Sequence, residues 1–244
     1  YRQTDSRVYF RIGLGRRYET LVLPENRHID YVMVNQSDAQ TVVDNRKNGF
    51  DTVLESCHKL AITGTEDDEI IAERTVYDCI DLLSEVQRDL EFIPDFGWLY
   101  GDTMDEDEQM EAVENYVERL EKLCNLIEYH DLSHVTVVPL AKGFNREHFE
   151  EIAETFDKLG FDRYAFYGVQ TNSIWTLVEE TRLSITVLDP DEVLLIGRGS
   201  PSDVAKLPSR VNAVASLRYW KDYCGLDADG YSEQNLIEWR DDVK

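Results

Sequence analysis

The chain has 244 residues, 42% of them hydrophobic, enough for one substantial core and close to the roughly 250 residues of a typical (β/α)-barrel. No apolar run approaches the roughly 20 residues a membrane helix requires and no signal-peptide pattern opens the chain, which argues against a membrane partner and predicts a cytoplasmic protein. The 49 Asp and Glu residues against 25 Lys and Arg give a formal net charge of −24, spread along the whole length and poor in lysine, the composition expected of a halophile rather than of an acidic tail.

Taken in chain order, Val8 to Ile12 is apolar and β-prone and predicts an accessory or first strand. Tyr31 to Val34 is a continuous apolar run, the mark of a strand buried on both faces. Ser37 and Asp38 offer N-caps for a helix to about Asn48, with Gly49 as its stop. Thr52 to Leu54 reads as a weaker strand, and Thr65-Glu66-Asp67-Asp68 opens a long helix to about Arg88. Glu91 to Pro94 is the next strand, and a helix from Asp102 or Thr103 to about Tyr129 carries Val113, Tyr116, Val117, Leu120 and Leu123 at helical spacing. Val135 to Val138 is a strand, followed by a helix from Asn145 to Leu159 that stops at Gly160. Tyr164 to Phe166, Val193 to Ile196 and Val211 to Val214 are three more strands with helical stretches between and after them, the last stopped by Gly225.

Short strands alternating with longer helices predict βαβ units and a parallel sheet. Seven or eight strands fit a closed barrel better than an open doubly wound sheet, so the expected fold class is an α/β (β/α)8-type TIM barrel, incomplete or irregular in places. One domain is expected over 1–244, with an accessory region at 1–29, the barrel core at 30–224 and a C-terminal tail at 225–244. Because the chain opens on Tyr1 rather than Met, it is expected to begin inside a longer product or after processing.

Cys57, Cys79, Cys124 and Cys224 form no CxxC pair, and His28, His58, His130, His134 and His148 show no HExxH or similar spacing. They read as reduced core thiols and isolated histidines, without a metal site. His130 and His134 flank a helix-end turn. Gly13-Leu14-Gly15 lacks the third glycine of a dinucleotide fingerprint, so no cofactor is expected. The acid runs Glu66–Glu69 and Asp105–Glu108 read as solvated first helical turns.

In a barrel, chemistry gathers on the loops after the C-terminal strand ends. Those loops hold Pro94-Asp95-Phe96-Gly97-Trp98, Leu140-Ala141-Lys142-Gly143-Phe144, Tyr167-Gly168-Val169-Gln170 and Gly197-Arg198-Gly199-Ser200-Pro201. Their glycines serve sharp turns and also let a flat ligand approach the backbone. Asp95, Lys142, Gln170 and Arg198 on one rim predict a binding pocket.

Gly160-Phe161-Asp162-Arg163-Tyr164-Ala165-Phe166-Tyr167-Gly168-Val169 resembles the tRNA-guanine transglycosylase segment GFDGYAIGGL. Leu195-Ile196-Gly197-Arg198-Gly199-Ser200-Pro201-Ser202-Asp203 is similar to that family's LMGVGTPEDL, and Val211 to Ser216 falls where the family has its VDMFDC-type strand. The likeness spans Pro94 to Tyr223 and, more faintly, Thr52 to Cys57. The family, with its DNA-acting relatives, consists of barrels that exchange guanine for a 7-deazaguanine base. The resemblance implies Asp95 as the base-recognising carboxylate, Gly168 as a backbone contact and Lys142 where a glutamine contacts the base. It places Glu55 at the DSGG strand end, making Glu55 and Asp95 the candidate catalytic carboxylates. Lys142, Gly143, Tyr167, Gly168, Gln170, Gly197, Arg198 and Gly199 are the candidate substrate-binding residues.

This sequence departs from the family where it matters most. The nucleophilic aspartate is expected at Ala215, Glu55-Ser56-Cys57-His58 loses both glycines of DSGG, and the structural zinc site has no counterpart. Either a nearby acid such as Asp222 serves, or the barrel kept its shape and lost the exchange reaction, the reading favoured here. The leading expectation is a divergent guanine/7-deazaguanine transglycosylase-like protein linked to nucleic-acid base modification without its nucleophile. The alternatives are a non-catalytic barrel that binds a nucleobase, nucleic acid or protein, and an unrelated small-molecule barrel enzyme. A charge of −24 opposes phosphate binding. Arg7, Arg11, Arg16 and Arg17 form the one obvious basic cluster, read equally as scattered surface arginines. Trp98, Trp175, Trp220 and Trp239 read as core or rim packing.

Overall fold

The computed structural model describes residues 6–13, 28–54, 58–99, 103–169, 173–226 and 230–244. Among the described residues eight strands form: β1 Arg7–Arg11, β2 Tyr31–Asn35, β3 Lys59–Thr63, β4 Leu90–Ile93, β5 Val135–Val137, β6 Arg163–Tyr167, β7 Glu192–Ile196 and β8 Val211–Ser216. All pair in parallel, in the order β5-β4-β3-β2-β1-β8-β7-β6. The sheet curls into a TIM-barrel-like fold that stays irregular at the β5–β6 seam. There a single bridge, Leu140 to Ala165, joins the two ends, with Ala141 N–H donating to the Ala165 carbonyl and Ala165 N–H to Pro139, each at 2.8 Å.

The helices are α1 Gln36–Asn45, α2 Asp68–Glu73, α3 Val76–Glu85, α4 Glu106–Tyr129, α5 Arg146–Leu159, α6 Ile174–Leu188, α7 Pro201–Val204, α8 Arg218–Cys224 and α9 Glu233–Val243. None among the described residues is long and apolar enough to cross a membrane. Several boundaries follow local chemistry. Asn145 caps α5 by accepting from the His148 N–H, and Gly160 ends it at φ 71°, a left-handed conformation glycine adopts without a Cβ clash. The turn between His130 and His134 begins as α4 ends, with Asp131 at φ 54°.

Period-2 alternation decides what the barrel encloses. Along β1, Val8 and Phe10 point outward, and Phe10 packs edge-on against Trp220 and Trp239 of α8 and α9 at 5.7 and 5.5 Å. Arg7, Tyr9 and Arg11 point into the lumen. Tyr9 reaches across it to donate to Glu91 Oε2 of β4 at 2.6 Å. At the N-terminal mouth, Glu91 also meets Arg163 at 2.8 Å and Arg7 at 3.5 Å, while Glu192 pairs with both arginines. Strands β1, β4, β6 and β7 are thereby tied together through a charged plug.

Four expectations change. Arg7 and Arg11 are not a surface patch: their inward phase on β1 places them at opposite ends of the lumen, while Arg16 and Arg17 lie outside the described residues. Thr52 to Leu54 is not a strand, because Gly49–Thr52 forms a 3-10 turn with Val53 N–H bonded to Phe50 O. The strand lies later, at Lys59–Thr63. The helix expected from Thr65 to Arg88 breaks into α2 and α3, because Arg74 and Thr75 are extended and Thr75 starts α3 with a capping box on Asp78. Finally, the expected 225–244 tail contains α9, which buries Leu236, Trp239 and Val243.

Candidate ligand cleft at the C-terminal mouth of the barrel

The C-terminal strand ends bring polar side chains together above the lumen. Arg11 ends β1, Asn35 ends β2, Thr63 ends β3, and Tyr167 ends β6. Asp95 and Lys142 sit just past β4 and β5. Arg11 donates to Asn35 Oδ1 at 2.7 Å and to the Thr65 carbonyl at 2.6 Å. Thr63 and Thr65 share a hydroxyl bond of 2.8 Å.

Above this layer opens a cleft of about 560 Å³, within the range of small-ligand sites. Asp95, Lys142, Gly143 and Tyr167 line it, with the rings of Trp98 and Phe144 and the acidic loop Glu66–Glu69. Asp95 is 5% exposed. Lys142 Nζ donates to Asp95 Oδ1 at 2.6 Å, to the Phe96 carbonyl at 3.1 Å and to the Gly97 carbonyl at 2.5 Å. An ammonium has three protons, so these bonds use all of them. Burial pushes the Asp95 carboxyl above its ordinary range, and Lys142 beside it and Arg74 behind it only partly offset that.

The walls are locally determined. An added Cβ at Gly64 would stand 2.6 Å from the Asp95 backbone nitrogen, so only glycine lets the β3 exit pass this close to the β4 exit. Arg74 clamps the same loop, forming a buried ion pair with Glu66 and donating to the Gly64 carbonyl at 2.6 Å. On the opposite side, Phe144 N–H donates to His148 Nδ1 at 3.2 Å. Burial holds His148 below the usual imidazole range and so keeps that nitrogen an acceptor.

The sequence-predicted site residues divide. Asp95, Lys142, Gly143 and Tyr167 meet in the cleft, although the Lys142 ammonium is turned onto Asp95 and the chain rather than outward. Gly168, Gly197, Arg198 and Gly199 are not among its lining residues. An added Cβ at Gly168 would reach within 2.9 Å of Leu195, and one at Gly197 within 2.2 Å of Val169. Gly199 lies against Ser216 and its carbonyl accepts from Trp239 Nε1 at 2.7 Å. Arg198 stands 3.7 Å from Asp203. These glycines serve close packing of loops. Glu55 and Gln170 lie outside the described residues.

Ala215, at the expected nucleophile position, is fully buried and is the register partner of Tyr9 on β1 and Ile196 on β7, so its methyl faces the lumen. Asp222 is 66% exposed on α8 beside Arg218 and does not line the cleft. Sequence reasoning missed Arg11, Asn35 and Thr65, whose position at or just beyond a strand exit was the available signal, and Arg74, which follows α2 and carried no such signal. No protein-family model matches the chain, and no curated protein matches it.

Proposed function

We propose that the chain is a divergent transglycosylase-like barrel that holds a planar, base-like ligand in this cleft and has lost the nucleophile of the exchange reaction. The observation that carries the binding part is Asp95, a buried carboxylate fixed by Lys142 in a cleft that Trp98, Phe144 and Tyr167 also line. A carboxylate acceptor set among aromatic rings suits the donor edge and the flat face of a nucleobase. The loss of chemistry rests on Ala215, since a methyl cannot attack a sugar carbon.

A second reading keeps activity. The loop Glu66–Glu69 lines the same cleft as Asp95, and Asp68 is near enough to push the Asp95 carboxyl further up. Two carboxylates across one cleft can divide nucleophile and proton-transfer roles.

Calorimetric titration with guanine and a 7-deazaguanine, followed by assay of labelled-guanine exchange into RNA and DNA in molar potassium chloride, separates these readings. The expected result is binding without exchange, weakened about tenfold or more in Asp95→Asn. Measured exchange would establish the second reading. Failure of any base to bind would overturn both and leave a protein-binding barrel or an unrelated small-molecule enzyme.

A further inference from the structure

The acidic loop Glu66–Glu69 is fixed against the cleft rather than loose in solvent. Arg74 forms a buried ion pair with Glu66 and donates to the Gly64 carbonyl at 2.6 Å. Arg11 of β1 donates to the Thr65 carbonyl at 2.6 Å, and the Ser37 N–H of α1 donates to Glu66 Oε1 at 3.2 Å. Asp67, Asp68 and Glu69 are thereby held along the cleft wall while exposed to solvent. Among the described residues that line the cleft, five are carboxylates and one, Lys142, is a cation. Glu66 is balanced by Arg74 and Asp95 by Lys142, so the charge that remains on the wall is that of three acids. Lys142 offers nothing to an anion, because its three protons are engaged by Asp95, Phe96 and Gly97. Asp95 indicates what the cleft does accept. Its side chain is 7% exposed, Oδ1 holds Lys142, and Oδ2 meets no donor among the described residues, which leaves a buried acceptor for a ligand N–H.

We propose that this pinned acidic wall is a selectivity element that restricts the cleft to phosphate-free ligands, a free base or nucleoside, and turns away nucleotides and nucleic-acid strands. This deepens the base-binding proposal and rests on it. A cleft lined by one sign of charge focuses its field on whatever enters, and repulsion of the wrong ligand discriminates between molecules that make the same attractive contacts. Base and nucleotide present the same ring to Asp95. Only the nucleotide brings a phosphate toward Asp67, Asp68 and Glu69, and the anchors at Glu66, Gly64 and Thr65 keep the loop from swinging aside to relieve the contact.

The test is calorimetry on the full chain with guanine, guanosine and guanosine 5′-monophosphate, the last two differing by one phosphate. In molar potassium chloride the wild type should bind guanosine roughly threefold or more tighter than the monophosphate. The gap should widen as salt is lowered to the least that keeps the thermal transition intact, because screening weakens with it. Asp67→Asn/Glu69→Gln removes two charges without removing a helix cap, since the Asp67 side chain makes no cap bond, and should close most of the gap. Glu69→Lys should narrow or invert it, with the folding of each variant checked by its thermal transition. A monophosphate that binds as tightly as guanosine at every salt, or a gap that the double variant leaves unchanged, would overturn the acidic wall as a selectivity element while leaving base binding intact. Binding of guanine alone would overturn it too, by placing the exclusion in the size of the cleft. Binding of none of the three would overturn the base-binding proposal and this inference with it.

Discussion

Asp95 and Lys142 carry the clearest consequence at the scale of single residues. Their side chains are only 7% and 10% exposed, so removing the cation leaves a desolvated carboxylate with little water to replace it. Lys142→Met should cost about 3 kcal/mol of stability, measurable by denaturant titration, and should drive the Asp95 carboxyl still higher. A cost under about 1 kcal/mol would mean the pair behaves as a surface contact. Both residues were legible in the sequence because each directly follows a short apolar run that could only be a strand. Arg11 was not. The string Arg7-Val8-Tyr9-Phe10-Arg11 looks like an ordinary strand with one solvent-facing side. Here the apolar side faces the helices and the polar side faces the lumen, an inversion that the curling of the sheet produces.

Caps and breakers decide the outcome at the scale of elements. The α5 boundaries were readable because Asn145 and Gly160 are strong, local signals. The break between α2 and α3 was not, since Arg74 and Thr75 are unremarkable in a helical pattern. The interruption comes from Arg74 being committed to Glu66 and Gly64, contacts eight and ten residues back, while Thr75 Oγ1 accepts from the Asp78 N–H and Asp78 accepts from the Thr75 N–H. Thr75→Ala should cost about 1 kcal/mol. Because Thr75 adjoins Arg74, it should also speed amide hydrogen exchange around Gly64 to Arg74 more than in α5. Uniform exchange changes across the chain would argue that the cap does not hold the cleft wall.

Charge and closure act together at the scale of the whole molecule. A net charge of −24 repels itself most strongly at low ionic strength, where the screening length is about 10 Å at 0.1 M against about 3 Å at 1 M. The thermal midpoint should therefore rise as potassium chloride is raised into the molar range. A flat or falling response would show that the acids are compensated locally. The plug of Arg7, Glu91, Arg163 and Glu192 works against simple screening, since its side chains are 16–23% exposed and lose less to salt than the outer surface.

By itself the sequence determined the alternation of strands and helices, the parallel barrel-like class, and the placement of Asp95, Lys142, Gly143 and Tyr167 at strand exits. These are local or periodic properties, written in runs of apolar residues and in the caps and glycines that end them. Only the tertiary structure decided which side of each strand faces the lumen, that Gly168, Gly197 and Gly199 serve packing rather than the cleft, and that Arg11 is held by Asn35 and the Thr65 carbonyl. Those depend on curvature and on contacts between residues dozens to more than a hundred positions apart, for which a linear pattern carries no signal.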